Sequence, residues 1–156
     1  MQQCINETLR LEPPAPASQS QNFIEDTWVN YGGNDQKVLV KAHTQIMIQF
    51  DAIHHDANEW PEPFKWIPDR FDNQSKWSLN KAGKPRNPLS FTPFMGGKRI
   101  CLGKTFADVN MKLTVPLLLH SFRFELQQSD YEKPLYSVGG SKEIDVPVTL
   151  HVINQL

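Results

Sequence analysis

The chain has 156 residues, and its 16 basic and 17 acidic side chains give a formal net charge of −1. This balance excludes the strongly basic surface typical of nucleic-acid-binding proteins. The length suffices for one domain, but a hydrophobic fraction of 39% is low for a domain that folds by itself.

Two cysteines occur, Cys4 and Cys101, which lie too far apart in the sequence to suggest a disulfide framework. We therefore expect an intracellular, reducing setting. No apolar stretch approaches the roughly 18 residues that a membrane-spanning helix needs. The first residues lack the basic and apolar regions of a signal peptide and resemble the middle of a helix, so we expect a larger protein upstream.

The first predicted element is a helix over residues 1–11, with an apolar stripe of Cys4, Ile5 and Leu9, and it ends at the prolines that follow. Two strands are predicted next, at residues 23–29 and 38–50. The second has its β-forming residues at even positions. Residues 32–35, Gly-Gly-Asn-Asp, predict the hairpin turn between them.

Residues 60–71 predict a packed, irregular segment, the meander, because three prolines and four aromatic residues exclude a regular helix or central strand. Residues 72–89 predict a polar surface loop. A helix is predicted from Leu102, where Pro116 should kink it or end its regular part. Its apolar face consists of Leu102, Phe106, Val109, Leu113 and Leu117. Strands at residues 124–126 and 146–153, around a turn at Gly139-Gly140, complete the predicted elements.

The most informative segment is residues 94–103, Phe-Met-Gly-Gly-Lys-Arg-Ile-Cys-Leu-Gly, here called the cysteine loop. Cys101 precedes a predicted helix, whose dipole favours a thiolate together with the charges of Lys98 and Arg99. Gly97 and Gly103 leave the backbone open to a flat ligand, and Arg99 suits a carboxylate. A metalloporphyrin with propionate groups fits these features. The residues alone leave open a structural loop with a buried cysteine, or a cysteine nucleophile.

The cysteine loop resembles the haem-binding signature of the cytochrome P450 family, Phe-x-x-Gly-x-Arg-x-Cys-x-Gly, at all five fixed positions. The resemblance implies haem b (iron protoporphyrin) as cofactor, with Cys101 as the axial ligand of the iron. It further implies that Arg99 meets a propionate and that Phe94 packs near the thiolate. Gly97 and Gly103 would shape the same cofactor pocket.

Two further segments resemble motifs of this family. Residues 7–10, Glu-Thr-Leu-Arg, resemble its Glu-x-x-Arg helix motif, and residues 68–71, Pro-Asp-Arg-Phe, resemble its Pro-Glu/Asp-Arg-Phe segment. Glu7 and Arg10 lie on one helix face and can pair, although such a pair alone is usually a solvated surface pair. The resemblance implies that Arg70 joins them in a buried structural charge cluster.

The implied fold is α+β, mainly helical with small β-sheets. It is the C-terminal part of the cytochrome P450 fold: the Glu-x-x-Arg helix, meander, cysteine loop, following helix and terminal hairpin. Residues 1–156 would form an incomplete single haem-binding domain, with the oxygen-activating helix expected upstream. Five residues depart from the family pattern and affect only local geometry: Ala42, His43, His55, Asn110 and Pro116.

The resemblance implies an oxidoreductase that inserts one oxygen atom from O2 into an organic, lipophilic substrate. Electrons would come from a reductase partner, and nucleic acid is not an expected partner. Lys98, Lys104 and Lys112 either attract an acidic partner or are ordinary solvated lysines. Residues 15–18 and 136–140 would line the substrate pocket. No membrane anchor lies in this chain, although family analogy suggests the endoplasmic reticulum membrane.

Two alternatives stay open. Besides part of a monooxygenase, the chain is interpretable as a truncated, catalytically incompetent fragment, or as part of a haem-thiolate isomerase or peroxygenase. An isolated fragment should expose apolar surface on the faces that bear Ile5, Leu9, Phe106 and Val109. A separate metal site is not indicated. His54 and His55, expected on an extended segment, would point in opposite directions, and the remaining three histidines, His43, His120 and His151, lack zinc-like spacing.

Overall fold

The computed structural model describes residues 1–31, 36–126, 136–138, 141–143 and 147–153. The chain divides into two compact units, residues 17–49 and the remainder. Both predicted glycine turns, residues 32–35 and 139–140, lie outside the described residues. Among the helices described, none has the length and apolar character to cross a membrane.

The smaller unit consists of two antiparallel strand pairs. Strand β1 (Gln21–Asn22) pairs with β4 (Gln45–Ile46), and β2 (Thr27–Tyr31) pairs with β3 (Gln36–Val40). In the longer pair Thr27 lies opposite Val40 and Tyr31 opposite Gln36. The predicted hairpin pairing is therefore confirmed, but its first strand begins at Thr27 and not at residue 23.

The prediction of one strand over residues 38–50 is wrong, because a turn divides it after β3. His43 has a positive φ of 67° there, and the Asp26 carboxylate accepts hydrogen bonds from Lys41 Nζ and the Ala42 N–H. The alternation of β-forming residues predicted continuous pairing, but these bonds to Asp26 and the bond from the Thr44 N–H to the Lys41 carbonyl close a turn instead. Phe50, the last residue of the predicted strand, begins a helix.

The larger unit contains three α-helices, four short 3₁₀ segments and two strand pairs within the described residues. The helices are α1 (Gln2–Leu11), α2 (Phe50–His54) and α3 (Lys104–Ser121), and the 3₁₀ segments are η1 (Pro68–Phe71), η2 (Lys76–Ser78), η3 (Pro88–Ser90) and η4 (Gly97–Arg99). Strand β5 (Phe122–Leu126) pairs antiparallel with β8 (Val148–Val152), and β6 (Tyr136–Val138) with β7 (Ser141–Glu143). This mixture of helices and small sheets confirms the predicted α+β class.

Helix α1 follows its predicted course and ends at Leu11, two residues before Pro13. Ile5 and Leu9 are buried, and Cys4 is half-buried beside them. The expectation that Ile5 and Leu9 lie on an exposed apolar face is therefore wrong. They belong to the core, because α1 also buries its charged residues and packs closely against η1 and α2.

Helix α3 begins at Lys104, two residues later than predicted, with Gly103 as its N-cap. It continues through Pro116 to Ser121, so Pro116 does not end it. None of its residues is buried, and Phe106 and Val109 are exposed as expected. Proline removes only one backbone N–H donor, and the turns on either side carry the helix past it.

Trp60 is the largest fully buried side chain of the described core. Its ring lies 5.8 Å from that of Phe71 and 6.3 Å from that of Phe91, and its Nε1–H donates to the Ser90 carbonyl at 3.3 Å. The meander therefore packs as predicted, and its regular structure is limited to η1 (Pro68–Phe71) at its end. Residues 72–89 differ from the predicted polar surface loop in two respects. They contain the 3₁₀ segment η2, and the side chain of Arg86 is half-buried.

Truncating Trp60 should test this packing. Trp60→Ala removes a buried ring and leaves a cavity, so we expect the free energy of unfolding to fall by about 3 to 5 kcal/mol. Urea unfolding measures the loss. Trp66, which is 56% exposed, provides the control, and Trp66→Ala should cost less than about 1 kcal/mol. Equal losses in the two variants would contradict the placement of the core.

Candidate functional site

A buried ion pair joins Glu7 and Arg10 on one face of α1. Arg10 donates from Nε and Nη2 to the two carboxylate oxygens of Glu7, at 2.8 and 2.9 Å. Both side chains are completely excluded from solvent. The pair is therefore not the solvated surface pair that its spacing alone would suggest, because its charges have been removed from water and depend on each other.

Arg70 approaches the same carboxylate from η1. Its Nε donates to Glu7 Oε1 at 3.1 Å, and the Ile67 N–H donates to that oxygen at 2.8 Å. Burial lowers the pKa of Arg70, and the charge of Arg10 lowers it further, while Glu7 opposes both effects. The structure thus brings together Glu7, Arg10 and Arg70, as the sequence motifs predicted. These three residues are called the charge cluster below.

Backbone carbonyls accept the remaining guanidinium donors of this cluster. Arg10 and Arg70 donate to the carbonyl oxygens of His54, Pro61, Glu62, Pro63 and Lys65. Four of these five acceptors belong to the meander. The irregular path of the meander therefore has a physical cause, since a helix or strand would commit the same carbonyls to its own hydrogen bonds.

Arg86 is a third arginine at this site, and no sequence motif pointed to it. Its guanidinium lies 4.2 Å from the centre of the Trp60 ring and donates to the carbonyls of Glu59, Arg70 and Trp77. Burial, followed by the positive charges of Arg70 and Arg10, lowers the pKa of Arg86 to about 10, while the charges of Glu7 and Glu59 oppose this shift. A basic residue in a polar stretch predicts a surface position, and only tertiary contacts reveal this one.

His54 is a second residue that sequence reasoning missed. It ends α2 and is fully buried, so the expectation of an extended segment at His54-His55 is wrong. His54 Nε2 accepts a hydrogen bond from the Thr92 N–H at 3.0 Å. Burial lowers the pKa of His54 to about 4, with smaller effects from the charges of Arg10 and His55, and Asp51 opposes them. His54 is therefore neutral near pH 7.

The cysteine loop is closed by its own backbone. The Cys101 N–H donates to the Phe94 carbonyl at 2.8 Å, and the Met95 N–H donates to the Thr92 carbonyl at 3.0 Å. Two residues take left-handed backbone conformations, Met95 with a φ of 61° and Gly97 with a φ of 63°. Glycine adopts this conformation without steric cost, which explains its presence at position 97.

Cys101 and Arg99 are exposed, and Phe94 is half-buried. A side-chain carbon built at Gly97 would meet nothing within 4 Å, whereas one built at Gly103 would lie 3.8 Å from Cys101 Sγ. The loop therefore presents an exposed sulfur beside Gly103, and the missing side chains of Gly97 and Gly103 leave room for a large ligand. The expectation of a buried cysteine, one of the alternatives left open, is excluded.

A cavity of about 450 Å³ lies between α1, the cysteine loop and the first turns of α3. Leu9, Phe91, Phe94 and Met95 supply part of its apolar wall. Neither Cys101 nor Arg99 lines it. This cavity is therefore distinct from the open space in front of the sulfur.

Other candidate residues stay apart. The described residues contain no group of three or more histidine, cysteine or acidic side chains that could hold a metal ion. Lys98 and Lys104 are exposed near the cysteine loop, while Lys112 Nζ pairs with the Asp108 carboxylate at 2.7 Å. Of the three lysines considered for docking an acidic partner, Lys112 thus has its charge partly balanced.

Comparison with known proteins gives consistent matches. A family model described as "Cytochrome P450" matches residues 1–145. Cytochrome P450 4F12 of Homo sapiens is 37% identical over 121 residues, which cover 78% of this chain and 21% of that protein. Cytochrome P450 734A5 of Oryza sativa subsp. japonica is 34% identical over 145 residues, which cover 92% of this chain and 25% of that protein. The chain thus spans about a fifth to a quarter of the length of these relatives.

Among solved structures, retinoic acid-bound cyanobacterial CYP120A1 matches with a TM-score of 0.79 and 28% sequence identity. The match covers 97% of this chain and 33% of that one. Almost the whole chain therefore has the fold of one part of a larger solved protein.

Neutralising Glu7 should test the charge cluster. Glu7→Gln leaves two buried guanidinium groups without an anion, so we expect a loss of about 3 to 5 kcal/mol in the free energy of unfolding. Asp108→Asn breaks an exposed pair with Lys112 and should cost less than about 1 kcal/mol. Urea unfolding of both variants makes the comparison. A loss in Glu7→Gln no larger than in Asp108→Asn would contradict a structural role for the cluster.

The burial of neutral His54 predicts a pH dependence of stability. The unfolded chain takes up a proton near the ordinary histidine pKa of 6.5, whereas the folded state does so only near the lowered pKa of about 4. Unfolding should therefore become easier as pH falls from 6.5 to 4, by about 3 kcal/mol in total.

Urea unfolding across this pH range measures the effect. His54→Gln should flatten the profile by that amount, because glutamine does not titrate. His43→Asn, at an exposed left-handed position, is the control and should keep the wild-type slope. A His54→Gln profile parallel to the wild type would show that His54 is not buried in its neutral form.

Proposed function

Because the chain belongs to the cytochrome P450 family, we propose that it is the C-terminal portion of a haem-thiolate monooxygenase. Residues 1–156 would form part of one haem-binding domain. The single observation that carries this proposal is the exposed Cys101 thiol, held immediately before α3 in a loop closed by the Cys101 N–H.

The residues of the cysteine loop fit a haem group. A porphyrin is flat and wide, and it needs unobstructed access to the sulfur that binds its iron. Cys101 is exposed, and the missing side chain of Gly103 would otherwise stand beside the sulfur. Gly97 leaves the adjacent backbone bare. These features support haem b as the cofactor, with Cys101 Sγ as its axial ligand.

Arg99 and Phe94 have complementary roles in this proposal. The exposed guanidinium of Arg99, in η4, is available for two parallel hydrogen bonds to a propionate carboxylate. Phe94 anchors the loop, since its carbonyl accepts the Cys101 N–H and its side chain is half-buried. The charge cluster of Glu7, Arg10 and Arg70 holds the meander and takes no part in the chemistry.

When bound, a haem with a thiolate ligand supplies the activation of O2, because the thiolate favours O–O cleavage. The contribution of this chain is the sulfur itself and the rigid loop that orients it. Insertion of one oxygen atom into a lipophilic organic substrate is the reaction we propose for the whole protein. Residues 15–18 and 136–140 are the segments proposed to contact that substrate, and of the latter only 136–138 are described.

An electron-donating reductase is the proposed partner. Lys98 and Lys104 are exposed beside the cysteine loop, where opposite charges would speed docking of an acidic protein. The membrane of the endoplasmic reticulum is the proposed location, by analogy with the family.

A haem-thiolate isomerase or peroxygenase would place the same groups around the same sulfur. These reactions need no external electrons, so consumption of reducing equivalents by the whole protein distinguishes them from a monooxygenase. A catalytically incompetent fragment is the remaining alternative for the chain on its own.

Haem titration tests the proposed ligand. A difference spectrum of the reduced, carbon monoxide-bound protein should show the red-shifted Soret band of a thiolate ligand, and Cys101→Ala should abolish it. Cys4→Ala removes the other cysteine, which is half-buried in α1, and should keep the band.

Each outcome has a distinct meaning. A band that persists in Cys101→Ala would refute Cys101 as the ligand. Absence of the band in all three proteins would support the incompetent fragment, and the same titration on the whole protein would then decide the assignment of Cys101.

A further inference from the structure

His54 is a fully buried imidazole that neither the charge cluster nor the proposed haem site accounts for. Its Nε2 accepts from the Thr92 N–H, so the single proton of the neutral ring lies on Nδ1. Within the described part of the chain, Nδ1 has no hydrogen-bond partner. A residue that only filled space would be better served by an apolar side chain, because a buried unpaired N–H is unfavourable.

The backbone and the ring of His54 make contacts in two directions. The His54 carbonyl accepts from Arg10 Nη1 at 2.8 Å, which ties α2 to the charge cluster. The ring lies 5.5 Å from the Phe91 ring and reaches the N–H of the next residue, Thr92. One residue therefore joins the charge cluster to the segment that leads into the cysteine loop.

A short series of hydrogen bonds continues from Thr92 to the sulfur-bearing residue. The Thr92 carbonyl accepts the Met95 N–H at 3.0 Å, and the Phe94 carbonyl accepts the Cys101 N–H at 2.8 Å. Met95 is in a left-handed conformation, which a long side chain tolerates poorly and which the surrounding bonds must maintain. Movement of Thr92 would therefore be transmitted to the position of Cys101.

We propose that His54 is a positioning residue for the cysteine loop, acting through the hydrogen bond from the Thr92 N–H to its neutral imidazole. This role concerns the same site as the proposed function. It rests on that function only in taking Cys101 as the haem ligand. His54 does not touch the sulfur or the space in front of it.

Two substitutions separate hydrogen bonding from packing. His54→Leu removes the acceptor and keeps an apolar side chain of moderate size, whereas His54→Gln offers an amide oxygen near the position of Nε2. Amide hydrogen exchange is measured on the full chain at Thr92, Met95 and Cys101, with Ile5 and Leu9 in α1 as internal references.

We expect His54→Leu to accelerate exchange at the three loop amides by at least about tenfold relative to the references, because a hydrogen bond to Thr92 is lost. His54→Gln should stay close to the wild type. Loop exchange at wild-type rates in His54→Leu would overturn the proposal. If His54→Leu destabilises the whole chain, the His54→Gln variant decides between the two outcomes. Exchange at its loop amides as fast as in His54→Leu would show that the hydrogen-bond acceptor has no role.

The haem-loaded protein gives a second, independent measurement. The thiolate-type Soret band of the reduced carbon monoxide complex should weaken in His54→Leu and return in His54→Gln. If the wild-type chain itself shows no such band, titration of the whole protein decides the assignment of Cys101, while the exchange rates still decide the role of His54. A full band in His54→Leu would contradict the proposal.

Discussion

The structure depends on one buried carboxylate, that of Glu7, which serves two buried guanidinium groups. Removing three charges from water is unfavourable unless each donor and acceptor is satisfied. Arg10 and Arg70 meet this condition by taking both carboxylate oxygens and a series of meander carbonyls. The meander must therefore turn its backbone inward, and prolines suit it because they commit no N–H to regular structure.

The cysteine loop owes its position to this interior. Trp60 packs against Arg86 on one side and contacts the ring of Phe91 on another, and Phe91 directly precedes Thr92. His54 adds a hydrogen bond to Thr92. A thiolate ligand must be held within a fraction of an ångström to set the electronic properties of a metal, and rigid support from the surrounding side chains provides this. The charge cluster is thus linked to the segment before the cysteine loop through His54, whose carbonyl accepts from Arg10 and whose ring accepts from the Thr92 N–H.

Sequence reasoning identified the residues that carry local signals. The Glu7-to-Arg10 spacing and the signature around Cys101 are short patterns whose geometry is fixed by one helix or one loop. The buried positions of Arg86 and His54 were not predicted, because these residues bind partners 16 and 38 residues away in the sequence, Arg70 and Thr92. The strand predicted through residue 50 failed for a similar reason, since Asp26, far back in the sequence, closes the turn that interrupts it. Helix α3 also passes Pro116, where a local rule predicted a kink or an end.

The central claim is that this interior presents Cys101 as a thiolate ligand to haem iron. Iron X-ray absorption of the haem-loaded protein tests it most directly, because sulfur and lighter scatterers in the first coordination shell are distinguishable. The account predicts one sulfur neighbour, which is lost in Cys101→Ser and unchanged in Cys4→Ser. A first shell of nitrogen and oxygen alone in the wild-type protein would contradict it.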